Sequence, residues 1–129
     1  MPHPEALVID DDEDMNRMMG AYAQLSGFKY RSATTGQGGL DEVRRSAPAV
    51  VLLDVMLPDV DGFEVCRQLK SDARTRGVPV ILITALTDPE SRGRGTKAGA
   101  DDYLAKPFDP DQLMKSVMAF GRPRQSKSG

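Results

Sequence analysis

Three short, unbroken apolar runs constrain this chain more than any other feature: Ala6-Leu7-Val8-Ile9, Ala49-Val50-Val51-Leu52-Leu53 and Val78-Pro79-Val80-Ile81-Leu82-Ile83. A strand with one face in water alternates apolar and polar residues, whereas a strand covered on both faces has no polar side to show. Runs of this length, rich in Val, Ile and Leu, predict parallel strands sandwiched between helices. Weaker strands are expected at Lys29–Ala33 and Asp102–Ala105, which makes five.

The intervening segments carry a helical period. Met15, Met18, Tyr22 and Leu25 recur every three or four residues and predict the apolar stripe of a first helix, with the methionines as core filler. Phe63, Cys66 and Leu69 predict another, in which Cys66 is a small buried hydrophobe rather than a reactive thiol. Leu113, Val117 and Phe120 predict a third, with Asp109 as its N-cap and Pro110 at its first position. The second and fourth helices are poorer. Gly36, Gly38 and Gly39 crowd one, and Gly93 and Gly95 interrupt the other, each costing about 1 kcal/mol relative to Ala. No large apolar residue stands between Pro89 and Lys97, so the fourth helix is expected to be short or mobile. The order βαβαβαβαβα predicts an α/β fold: an open, doubly wound parallel sheet with five helices on both faces and right-handed crossovers.

The 129 residues suffice for one domain. Residues 1–121 are read as that domain, and the stretch Arg-Pro-Arg-Gln-Ser-Lys-Ser-Gly at 122–129 as a basic flexible tail or linker stub. A net charge of −2 argues against a dedicated nucleic-acid binder. No apolar run is long enough to cross a bilayer, and Met1-Pro2-His3-Pro4-Glu5 lacks the pattern of an export signal, so a cytoplasmic location is expected. The single histidine, His3, stands in a terminus expected to fray, and the single cysteine, Cys66, is expected to be buried, which argues against a Ser-His-Asp triad, a Cys-His pair and zinc sites built from His and Cys. Chemistry is left to carboxylates, hydroxyls, lysines and a borrowed metal.

Those residue types stand where strands end. Asp10 and Asp11 follow the first strand, Asp54 the third, Thr84 closes the fourth and Lys106 follows the fifth. In a doubly wound sheet, ligands bind outside the carboxyl ends of the strands. If the first strand lies beside the third, these side chains converge at one edge. Clustered carboxylates raise one another's pKa unless a cation compensates, and Mg²⁺, which takes one or two carboxylates and keeps several waters, suits an open crevice. Lys106 adds positive charge and Thr84 a hydroxyl, the parts needed to hold a phosphoryl group. Singly, each residue has a plainer role. The run Asp10-Asp11-Asp12-Glu13-Asp14 suits an acidic first helical turn, Asp54 the start of a loop, Thr84 a strand cap and Lys106 a solvated turn; their conjunction favours the site. Gly93-Arg94-Gly95-Thr96-Lys97 lacks the spacing of a phosphate-binding loop.

Four strings, in order, resemble the receiver domain of bacterial two-component response regulators: Leu7-Val8-Ile9-Asp10-Asp11; Leu52-Leu53-Asp54-Val55-Met56-Leu57-Pro58 followed by Asp61-Gly62; Val78-Pro79-Val80-Ile81-Leu82-Ile83-Thr84-Ala85; and Gly99-Ala100-Asp101-Asp102-Tyr103-Leu104-Ala105-Lys106-Pro107-Phe108. The resemblance runs from Glu5 to Phe120. It implies a flavodoxin-like sheet of order 2-1-3-4-5. It also implies that Asp54 is the phosphoacceptor for a phosphohistidine on a sensor histidine kinase or phosphotransfer protein. Asp11, Asp54 and the backbone carbonyl of Met56 would ligate Mg²⁺, with Asp10 acting through a water, whereas Asp12, Glu13 and Asp14 would have no such role. Thr84 and Lys106 would hold the phosphoryl oxygens, the Lys106-Pro107 bond would be cis, and Thr84 with Tyr103 would form the switch.

By the same resemblance, the fourth helix, fifth strand and fifth helix form the output face toward a downstream effector, and phosphorylation is expected to order or reposition residues 89–98. The domain is expected to be a signalling module rather than a turnover enzyme, without membrane or direct nucleic-acid contact, and open to phosphorylation-dependent homodimerisation. Relatives that lose phosphate quickly often carry polar side chains at the positions held here by Met56 and Leu86, which implies an acyl phosphate lasting minutes to hours. Two other readings compete. A phosphatase of the haloacid dehalogenase type needs a second acid two residues after its nucleophile, where Met56 stands. A receiver-like interaction module that no longer accepts phosphate has no need of the full set at 10, 11, 54, 84 and 106. The chain is read either as a single-domain regulator or as a receiver whose linker begins at Arg122.

Overall fold

In the structure, a computed structural model whose described residues are 3–121, ten elements alternate: β1 (Glu5–Ile9), α1 (Glu13–Leu25), β2 (Lys29–Ala33), α2 (Gly36–Arg45), β3 (Val50–Leu53), α3 (Gly62–Ser71), β4 (Val80–Thr84), α4 (Pro89–Ala98), β5 (Asp102–Ala105) and α5 (Pro110–Gly121). The basic segment expected at 122–129 lies outside the described residues. All five strands are parallel, in the order β2-β1-β3-β4-β5, so β1 does lie beside β3. Strand β4 begins after Pro79 rather than at Val78, as suits a residue with no amide to give a ladder.

Successive residues of a strand face opposite ways, so each apolar run feeds two cores. Leu7, Ile9, Val51, Leu53 and Leu82 join Leu40, Val43, Phe63, Cys66 and Leu69 beneath α2 and α3. Ala6, Val8, Leu52, Ile81 and Ile83 join Met19, Ala23, Leu113 and Val117 beneath α1 and α5. Cys66 is fully buried, and burial pushes its thiol up to about 11, as expected of a packing residue. The two border strands carry charge. Arg31 of β2 donates to the carboxylates of Glu5 and Glu42 at 3.0 and 2.8 Å. On β5 the Asp102 carboxylate accepts the Tyr103 amide at 2.8 Å and the Ser116 hydroxyl at 2.6 Å.

The inward face of α1 differs from the expected stripe. Met18 and Leu25 are exposed, at 44% and 75%, while Met15 and Tyr22 pack only at the margin. The buried face is Asn16, Met19, Gly20 and Ala23, also at helical spacing but with small residues that bring the helix close to the sheet. Asn16 explains the rotation. Its amide donates to the carbonyls of Val8, Asp10 and Ala33 at 3.3, 3.0 and 3.0 Å, and its oxygen accepts the hydroxyls of Tyr30 and Ser32. A side chain that satisfies buried backbone carbonyls takes precedence over larger apolar ones, which tolerate the rim. On α5, Phe120 is 39% exposed although Leu113 and Val117 are buried. Gly121 lies against Phe28 and Val50.

Neither glycine-bearing helix is short; α2 and α4 each span ten residues. A Cβ on Gly39 would lie 2.3 Å from Ile9, so the missing side chain is what lets α2 approach β1. Caps replace the missing apolar stripe on α4. Asp88 accepts the Ser91 amide and hydroxyl at 3.0 and 2.8 Å, Pro89 opens the first turn, and Gly99 closes the helix at φ 94°.

Replacing Asn16 with Leu removes the donor to these carbonyls in a site closed to water. We expect a loss of about 3 kcal/mol in urea-unfolding stability, and an unchanged midpoint would contradict the role assigned to Asn16.

Candidate functional site

Parallel pairing sets Ile9 beside Leu53 and Thr84 beside Ala105, so the residues that follow leave the sheet together. The backbone ladder continues past the strand ends. The Asp10 amide donates to Ala33 at 3.1 Å, that of Asp54 to Ile9 at 2.9 Å and that of Lys106 to Thr84 at 2.9 Å. Position is thus fixed by main chain before any side chain acts. One carboxylate oxygen each from Asp10, Asp11 and Asp54 lies within 4.8 Å of the others. Asp10 is fully buried, Asp54 nearly so, and Asp11 exposed.

The Lys106 ammonium sits between two of them, donating to Asp10 Oδ2 at 2.7 Å and Asp54 Oδ2 at 3.1 Å. Burial pushes the Asp10 carboxyl above the usual carboxylate range against the pull of that hydrogen bond. Burial disfavours the Lys106 charge, but its bond to Asp10 and the charge of Asp54 outweigh this and hold its pKa above the ordinary lysine value. The Lys106-Pro107 peptide bond is cis, as the resemblance implies. Three carboxylates facing one ammonium leave an excess of negative charge beside an open rim. A donor set made only of oxygens, with one exposed carboxylate, fits a hard divalent cation such as Mg²⁺.

The other expected residues stand around this cluster without all joining it. The Met56 amide donates to Asp54 Oδ1 at 3.3 Å, and its side chain is 59% exposed. Thr84 is fully buried, and its hydroxyl accepts the Leu86 amide at 3.3 Å rather than bonding to a carboxylate. Tyr103 donates its hydroxyl to the Leu86 carbonyl at 2.5 Å, with Arg92 over the ring at 5.1 Å and Gly95 beside it, where a Cβ would come within 2.8 Å. Thr84 and Tyr103 therefore meet at one residue, Leu86, through its amide and its carbonyl. The acidic run also divides its labour. Asp12 caps α1 by accepting the Met15 amide at 3.1 Å, while its own amide donates to Asp10 Oδ1 at 2.9 Å. Sequence reading did not single out Asn16, and its one signal was its helical spacing from Met19, Gly20 and Ala23.

Lys106 is the cation paired with Asp10 and Asp54 among the described residues. Lys106→Ala leaves a buried carboxylate uncompensated, and we expect a loss of about 3 kcal/mol in urea unfolding with chelator present; stability equal to the parent would refute this account.

Comparison with known proteins agrees with the geometry. The response regulator receiver domain model matches residues 6–118. The chain is 38% identical over 119 residues to the DNA-binding dual master transcriptional regulator RpaA of Synechocystis, and 42% identical over 116 residues to the response regulator PleD of Caulobacter vibrioides. These alignments cover 92% and 90% of this chain but 49% and 26% of those proteins, so the chain spans half their length or less. The Francisella response regulator 1452 receiver domain superposes with a TM-score of 0.83 at 31% identity, covering 91% of this chain and 95% of that one. The BeF3-activated receiver domain of DrrB, from Thermotoga maritima, gives 0.80 at 38% identity, covering 92% and 97%. A sheet of this order, acids gathered at its carboxyl edge and a match along nearly the whole chain lead to one conclusion: this chain belongs to the receiver domains of two-component response regulators.

Proposed function

We propose that Asp54 accepts a phosphoryl group from the phosphohistidine of a sensor histidine kinase or phosphotransfer protein. The observation that carries this reading is the Asp54 carboxylate, close to two other acids and 3.1 Å from the Lys106 ammonium. An Asp54 oxygen attacks phosphorus as the P–N bond to the donor imidazole breaks, and the acyl phosphate forms. Positioning and charge neutralisation dominate such a transfer. Lys106 exchanges part of its interaction with Asp54 for the phosphoryl oxygens, while Asp10 holds it in place. Thr84 turns its hydroxyl from the Leu86 amide to a phosphoryl oxygen. That movement frees a backbone group beside the Leu86 carbonyl, to which Tyr103 is bonded, and so links the site to α4 and β5. Asp11, Asp54 and the Met56 carbonyl would hold Mg²⁺, with Asp10 behind a water, and the ion when bound would neutralise charge on the transferring group.

The domain, taken as residues 1–121, is read as a cytoplasmic signalling module and not a turnover enzyme. Among the described residues no helix is long and apolar enough to cross a membrane. The α4-β5-α5 face is where we expect a downstream effector, a second copy of the phosphorylated chain, or both in turn, with no direct nucleic-acid contact by this domain. Met56 stands where a phosphatase of the haloacid dehalogenase type carries its second acid. Neither Met56 nor Leu86 offers a polar side chain to orient an attacking water, which supports a long-lived acyl phosphate. The presence of all five residues at 10, 11, 54, 84 and 106 supports phosphate acceptance over a phosphate-independent interaction module.

Acetyl phosphate with Mg²⁺ should add one phosphoryl group by mass spectrometry, and Asp54→Asn should abolish it; undiminished labelling of the variant would sink the assignment. Met56→Asn should shorten the phosphorylated lifetime, followed by loss of label after donor removal, and equal decay would refute the role given to that position.

A further inference from the structure

Met56 belongs to the eight-residue connection between β3 and α3, residues 54–61, and a loop carbonyl is only as well placed as its loop. Part of the fastening is local: Val55 accepts the amides of Leu57 and Gly62 at 3.1 and 2.8 Å. The rest comes from a distant element. The Asp59 carboxylate accepts the amides of Gly36 and Gln37, at the start of α2, at 2.8 and 2.9 Å, one bond to each oxygen. Those two amides have no partner within their own helix, and they hold the Asp59 carboxyl below the usual carboxylate range. Packing closes the same junction. Leu57 and Val60 flank Asp59 and lie against the buried cluster beneath α2 and α3. A Cβ at Gly36 would stand 3.0 Å from both Val60 Cβ and the Val60 carbonyl oxygen. A side chain at 36 would crowd this approach.

We propose that Asp59 is a positioning residue for the cation site: by clamping the β3–α3 loop to the N-terminus of α2, it fixes the Met56 carbonyl beside Asp54. The proposal rests on the reading of that carbonyl as a Mg²⁺ ligand. It assigns a function to an exposed acid that touches none of the phosphoryl-handling residues. A loop free to drift would have to be ordered at the moment of ion binding, and that ordering would weaken affinity.

Three variants separate the clamp from its side effects. Asp59→Ala removes both acceptors. Asp59→Asn removes the same charge but keeps one acceptor. Thr35→Ala strips the other cap of α2, the Thr35 hydroxyl that accepts the Gly38 amide at 2.9 Å, and leaves the loop alone. By calorimetric Mg²⁺ titration we expect Asp59→Ala to bind about 10-fold more weakly, in the range of other supports for metal ligands. In the metal-free protein its Met56 and Leu57 amides should exchange faster. Asp59→Asn should lose less affinity, and Thr35→Ala should lose stability but neither affinity nor loop protection. Equal affinity in Asp59→Ala and the parent, equal loss in Thr35→Ala, or equal loss in the Asn and Ala variants would each overturn the clamp. A parent chain that binds no Mg²⁺ would overturn the reading of the cation site itself.

Discussion

One ammonium group holds the carboxyl edge of this sheet together. Lys106 bonds to Asp10 and Asp54 across sequence separations of 96 and 52 residues, tying the ends of β1, β3 and β5 into a single charged knot. Acids packed this closely repel one another, and one of them is sealed from water. Burying an ion is costly unless a partner comes with it. Lys106 is that partner, and because it is shared, it can shift toward new negative charge without leaving its place. A site built so is compact, and under the function proposed above it still has an attraction to give an incoming phosphoryl group.

Around this knot the chain uses main chain for placement and side chains for chemistry. Ladder bonds extend one residue past the strands and deliver Asp10, Asp54 and Lys106 to fixed positions. The path outward from the site is thinner. Thr84 and Tyr103 bond to the amide and the carbonyl of one residue, Leu86, and beyond them lies α4, whose buried residues are Ser91, Gly95 and Ala98. Arg92 over Tyr103 and Arg94 over Phe63, at 5.1 and 4.3 Å, do for this helix what Leu or Val does elsewhere. Such contacts contribute about 0.5–1 kcal/mol each at exposed sites, so α4 is held by fewer and weaker interactions than its neighbours. Elements of that kind move at small free-energy cost.

The strands were legible because a strand covered on both faces must be apolar throughout, and the site was legible because chemically distinct residues stand at strand ends. Helix orientation was less so. The Met15, Met18, Tyr22 and Leu25 stripe obeys the helical period, but hydropathy cannot register that Asn16 is wanted inside by three carbonyls. Glycine counted against α2 and α4 through propensity, while in the fold Gly39 and Gly95 mark where Ile9 and Tyr103 come close. The Leu86 junction and the reach of Asp59 to α2 were invisible for another reason. Each depends on backbone groups as partners, which nearly every residue carries and hydropathy does not distinguish.

One border of the sheet limits how this domain can meet others. An unguarded outer strand offers its main chain to any extended peptide. On β5 the Tyr103 amide is already taken by the Asp102 carboxylate. Growth of the sheet by a foreign strand is thereby discouraged at that end. A partner that approaches this border meets a main chain already engaged and is left with side chains to read.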